Sequence, residues 1–247
     1  MNIANVAAGA CLLIAAVAFA GAQSQSNKPL DDFHAKVVKM GGDAAMNPDV
    51  QAIQNPHVKP YAAIVNAARW PSPNIPVCWE NPSSASADAM AWVKDAVKKT
   101  WSSVSALKFT GWTKCATVNK GIRIQIAEEG PHVKNLGRLI DGKPKGMVLN
   151  FTFANWSQSC QAKREFCIRA IAVHEFGHAV GFTHEQNRAD APGECKMLAQ
   201  GTSPDTMLTP YDPTSAMNYC NKDWNNNGIL SALDAAAAIE LYGKPTT

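Results

Sequence analysis

The 247-residue chain predicts an α+β fold: a twisted mixed sheet with two helices, then a loop-rich region closed by a C-terminal helix. Three observations predict it. Segments near residues 75–79, 107–112, 121–127 and 146–153 are strand-like, the last two alternating side chains with the period of two. Residues 85–104 and 168–182 instead follow the 3.6-residue period of helices. From His184 to Asn218 neither period is sustained, and a last helical stretch ends at Leu241-Tyr242-Gly243.

Residues 75–79 read as the first strand and Asn81-Pro82-Ser83 as a turn. The helix over residues 85–104 carries Ala89, Trp92, Val93, Ala96, Val97 and Trp101 on one face. Strands over residues 107–112 and 121–127 follow; in the second, Ile122, Ile124 and Ile126 alternate with Arg123 and Gln125. Residues 146–153 form another, with Met147, Leu149, Phe151 and Phe153 on one side. Near the C-terminus, Asp223 to Asp234 has two readings. Acids and amides at positions 1, 3, 5 and 12 with glycine at 6 fit an EF-hand-like calcium (Ca2+) loop. The same residues also fit an Asx-rich turn leading to Ser231 as N-cap, with Asp234 completing a capping box.

The helix over residues 168–182 contains the pattern that carries chemistry. Residues 174–185 read HEFGHAVGFTHE, that is, HExxHxxGxxHE. Four residues of helix turn through about 400°, so His174 and His178 share one face, one turn apart. Glu175 lies one position further round, where it can hold a metal-bound water. Gly181 lets the chain leave the helix through the left-handed region, which brings His184 back as a third ligand. Three protein ligands with an open fourth position are the arrangement of a catalytic Zn2+ site. A plain core helix with incidental histidines is the alternative, and the downstream Ser215-Ala216-Met217-Asn218-Tyr219 argues against it, because the extended motif is followed by a methionine-containing turn.

Residues 174–190, HEFGHAVGFTHEQNRAD, resemble the active-site signature of the astacin metalloproteases within the metzincin clan. Glu185, Gln186, Arg188 and Asp190 carry the likeness, together with Tyr211-Asp212 ahead of the methionine turn. The resemblance implies a two-lobed, zinc-dependent endopeptidase with Glu175 as general base. It implies Tyr219 as a fifth zinc ligand at rest and as oxyanion donor, with Met217 as a packed floor. It also implies an edge strand within residues 132–140 that pairs with substrate. In astacins the residue matching Glu185 contacts the mature N-terminus; a bond to Arg188 or to lower-lobe backbone is the alternative here. Two other readings stay open: a matrixin-like metzincin protease, and a catalytically silent, secreted, zinc-containing binding module. The intact Glu175 argues against the second, which needs no general base.

Upstream, residues 1–22 read as a signal peptide: residues 6–20 are an apolar run and Ala20-Gly21-Ala22 supplies a cleavage site. This predicts a secreted chain, or a periplasmic one in a bacterium, without stable membrane association after cleavage. Residues 23–69 lack cysteine and read as a propeptide, leaving residues 70–247 as the catalytic domain, with Arg69 as a candidate cleavage site. Met40-Gly41-Gly42-Asp43 is similar to the astacin segment that sets an aspartate on zinc, making Asp43 an inhibitory ligand of the proform; a Gly-Gly-Asp turn is the alternative. The six cysteines beyond the signal suggest disulfides, with neighbour pairing Cys78–Cys115, Cys160–Cys167 and Cys195–Cys220 expected among fifteen connectivities. A net charge of +3 without a basic cluster gives no sign of nucleic-acid binding and leaves protein or peptide substrates as the expected partners.

Overall fold

A computed structural model describes residues 63–245. The signal segment and Asp43 lie outside the described residues. The first described element, the two-residue strand β1 (Ala63–Ile64), belongs to the lower part of the molecule. Five strands then form one sheet: β2 (Asn74–Trp79), β3 (Lys108–Lys114), β4 (Ile122–Ile126), β5 (His132–Val133) and β6 (Met147–Leu149). Their order across the sheet is β3-β2-β4-β6-β5. All neighbours are parallel except β5, which runs antiparallel to β6 along the edge. That edge strand falls within the window expected for it. Against the sheet pack α1 (Ala87–Lys99), the short α2 (Trp101–Val104) and the long α4 (Arg164–Ala179), with α3 (Gln158–Ala162) leading into α4. The lower part is irregular: β1 pairs with β7 (Thr206–Met207), α5 (Gly193–Lys196) is one turn long, and α6 (Ala232–Tyr242) closes the chain. This is the two-lobed α+β architecture expected.

The departures from the expected elements have local causes. The single helix over residues 85–104 breaks at Thr100, which sits at φ −111°, ψ −95° and turns its hydroxyl back onto the Ala96 carbonyl at 2.7 Å. Trp101 restarts the chain as α2, and its indole N–H donates to the Val173 carbonyl, pinning this corner to α4. The strand expected over residues 146–153 stops at Leu149 because the Asn150 side chain accepts from the backbone N–H groups of Thr152 and Phe153. In β4, Arg123 is buried rather than solvated: Glu80 takes it at 2.9 and 3.0 Å with both oxygens. All three expected disulfides are present.

The calcium expectation is corrected. Asn225, Asn226 and Asn227 occupy left-handed backbone at φ 46°, 48° and 55°. Asp234, the position-12 acid, is buried, and its carboxylate is taken up by hydrogen bonds within the protein. It completes a capping box with Ser231 and accepts from Ser215 and Ala216. Among the described residues, His174, His178 and His184 form the group of three His, Cys, Asp or Glu side chains placed to share a metal ion.

Residues 63–69 are built into the fold. Ile64 bridges Phe182, Thr183 donates its N–H to the Ala63 carbonyl, and Ala68 is fully buried. Trp70 donates its indole N–H to the Ala179 carbonyl at the end of α4. No helix among the described residues is long and apolar enough to cross a membrane.

At Gly177 in α4 the methionine turn comes close to the helix: a Cβ there would lie 2.3 Å from Met217 Sδ and 2.9 Å from Trp101 Cζ2. Gly177→Ala is therefore expected to destabilise the protein by about 1–3 kcal/mol through overpacking, despite the better helix propensity of alanine. Denaturant unfolding measures it, and a variant as stable as the parent would contradict this contact.

Candidate metal centre

The helix α4 presents His174 and His178 one turn apart, as their spacing requires. After Ala179 the chain exits through Gly181 at φ 108°, which is left-handed backbone favouring glycine. The Gly181 N–H still bonds the His178 carbonyl, and the Phe182 N–H bonds that of Gly177. This closing turn carries the chain to His184, whose Nε2 lies 3.3 Å from that of His174 and 3.1 Å from that of His178. All three rings are buried, the most open being His184 at 9%.

Backbone carbonyls decide the tautomers. His174 Nδ1 faces the Ala216 carbonyl at 2.8 Å, His178 Nδ1 that of Phe182 at 2.8 Å, and His184 Nδ1 that of Gln200 at 2.9 Å. A carbonyl can only accept, so each Nδ1 carries the proton and each Nε2 presents a lone pair to the common centre. Burial reinforces this. It pushes His174 down to about 3, helped by repulsion from His184, and holds His178 and His184 below the ordinary histidine range. Three converging lone pairs repel one another unless a cation stands between them. The donor set of three neutral imidazoles thus fits zinc, with imidazole orientation fixed from behind by hydrogen bonds.

Glu175 is buried at 5% exposure beside the triad, and its Oε2 has no hydrogen-bond partner among the described residues. Burial alone pushes its carboxyl up to about 8; a divalent cation nearby would pull it back down. Tyr219 stacks on His174 with ring centroids 5.2 Å apart and planes 12° apart, and lies 4.4 Å from His184. Its backbone N–H donates to Gln186 Oε1, a buried amide whose sequence signal was only its place in the signature. Burial and the nearby Glu175 push the phenol up to about 12. His174, Glu175 and Tyr219 line a cleft of about 420 Å³, which Trp156, Trp224 and Asn225 also flank. None of these three was legible as a residue of this cleft; Trp224 and Asn225 stood out only as part of the Asp223 to Asp234 loop.

Met217 is buried against Gly177 of α4, and its carbonyl accepts from the Glu185 N–H. The Glu185 carboxylate accepts from the Asp212 N–H at 2.9 Å and lies 3.3 Å from Arg188 Nε, the second of its two expected arrangements. Burial pushes it up to about 8, against the opposing pull of Arg188 and the Asp212 N–H. Arg188 is itself fully buried and held by Asp190 and the Thr209 carbonyl.

Comparison with known proteins places the chain in a family. The family model described as Astacin, a peptidase family, matches residues 63–200. The chain is similar to Embryonic protein UVS.2 of Xenopus laevis, with 28% identity over 184 residues, 68% of this chain and 32% of that protein. It therefore spans about a third of that relative's length. A structure of myroilysin shares the fold at a TM-score of 0.56 and 19% identity, covering 74% of this chain and 100% of that one. A crystal structure of myroilysin gives a TM-score of 0.50 and 18% identity, covering 81% of this chain and 98% of that one. With a histidine triad in ligand geometry inside a family match that takes in more than half of the residues, the chain belongs to the astacin family of peptidases.

Proposed function

We propose that the chain is a secreted, zinc-dependent endopeptidase acting on protein or peptide substrates and made as a zymogen. The observation that carries this reading is the convergence of three Nε2 lone pairs beside an unpartnered buried carboxylate in an open cleft. His174, His178 and His184 would hold the ion. Bound there, it would polarise a peptide carbonyl and lower the pKa of water towards 7. Glu175 accepts the proton of the attacking water and delivers it to the leaving amine. Tyr219, whose ring stacks on His174 and lies beside His184, would serve as fifth ligand at rest and donate its phenol O–H to the oxyanion of the tetrahedral intermediate. Membership of the astacin family displaces the matrixin-like alternative. The silent-module alternative is left with an intact general base to explain.

Export is supported by the apolar run over residues 6–20 and by three disulfides, which persist in oxidising compartments. Asp43 remains the proposed inhibitory ligand of the zymogen. We propose that the prosegment ends before Ala63 and not at Arg69, since cleavage at Arg69 would leave Ala63–Ile64 and the buried Ala68 outside the chain that they pack against.

The following outcomes test this reading. The activated protein should cleave an unfolded protein substrate, lose that activity to a chelator and regain it with zinc. Glu175→Ala should bind zinc yet be slower by roughly 10²–10⁴-fold or more; equal rates for it and the parent, whether both active or both inert, would sink the protease reading. Tyr219→Phe should lower kcat by roughly 10²–10³-fold with little change in KM, and an effect confined to KM would remove Tyr219 from the oxyanion role. In metal-free protein His174 should stay neutral down to about pH 3, whereas an unfolded histidine ionises near 6.5. Acid thus favours the unfolded chain through this ring, and its contribution to stability fades as pH falls from 6.5 towards 3. An NMR titration in which His174 gains its proton near 6.5 would contradict the burial argument.

A further inference from the structure

We propose that Asp234, on the last helix of the chain, is a positioning residue for the metal site and acts on His174 through Ser215 and one peptide group. The proposal rests on the zinc reading of the triad. Its basis is a continuous run of hydrogen bonds, each donating in the same direction. His174 Nδ1–H donates to the Ala216 carbonyl at 2.8 Å. The N–H of that same peptide unit belongs to Met217 and donates to Ser215 Oγ at 2.9 Å. The Ser215 hydroxyl then donates to Asp234 Oδ1 at 2.7 Å. The other carboxylate oxygen, Oδ2, accepts from the Ala216 N–H at 2.9 Å, so the turn is braced on both sides of the residue that faces His174.

Every group in this run is buried. Chains of aligned hydrogen bonds polarise one another, and low local dielectric strengthens each of them. A run that ends on a carboxylate makes the carbonyl at its other end a stronger acceptor, which raises the basicity of His174 Nε2. Metal-bound histidines are often oriented directly by a carboxylate; here a peptide and a serine stand between the two. Burial and Asp212 push Asp234 up to about 6, while the three hydrogen bonds it accepts, from Ser215, Ala216 and Ser231, favour its carboxylate form. The same side chain closes the α6 capping box through the Ser231 N–H at 3.0 Å. Docking of the last helix and the donor strength of His174 are therefore set by one residue.

The test is zinc affinity, read by chelator competition, together with the absorption spectrum of the cobalt(II)-substituted protein. Asp234→Asn keeps the shape and removes the charge. Ser215→Ala cuts the run while leaving both capping-box residues, Ser231 and Asp234, in place, so it remains informative if the first variant fails to fold. Both are expected to weaken zinc binding by about 10–100-fold and to shift the cobalt bands. Ala238→Gly, which loosens α6 away from the run, should leave affinity and spectrum unchanged. Wild-type affinity and bands in both run variants, with only thermal stability reduced, would overturn the positioning role. Loss of affinity in Ala238→Gly equal to theirs would overturn it too, by making the effect one of helix stability. A wild-type protein that binds no zinc would instead overturn the underlying metal reading.

Discussion

The structure depends on three imidazoles held as neutral donors towards one point. Each ring is anchored from behind by a backbone carbonyl, and the three carbonyls come from different places: the methionine turn, the exit of α4, and the loop after His184. Burial alone would make these rings neutral without orienting them. Carbonyls alone would orient them without excluding water. Together they leave three lone pairs with no proton to share, which only a cation relieves.

Much of the remaining architecture serves that arrangement. Gly181 ends α4 where His178 must be followed quickly by His184. Gly177 lets Met217 approach the helix closely enough for the methionine turn to lie under His174. The Cys195–Cys220 disulfide ties the segment after the triad to the end of that turn. Glu185 links the two again, its N–H on the Met217 carbonyl and its carboxylate on the Asp212 N–H.

Where the elements were legible in the sequence, the signal was local. The 3.6-residue period of α4, the alternation in β4 and the capping box at Ser231 each involve neighbours a few residues apart. Errors of extent also had local causes that periodicity does not register: Thr100 folding back on Ala96, and Asn150 capping its own turn. The calcium-loop pattern was misleading because composition at fixed spacing is silent about direction. Asp234 has the right identity at the right position, yet its carboxylate points into the core.

The sequence by itself determined the donor types, their spacing on a helix and the glycine that ends it. Those follow from helix geometry and residue chemistry, which travel with the chain. Only the tertiary structure decided which nitrogen of each ring carries the proton, because that depends on carbonyls 42, 4 and 16 residues away. It likewise decided that Glu185 faces Arg188 and Asp212, that Trp156 and Trp224 flank the cleft, and that residues 63–69 belong to the fold. Backbone carbonyls look alike in every residue, so no side-chain pattern could single them out before the chain had packed.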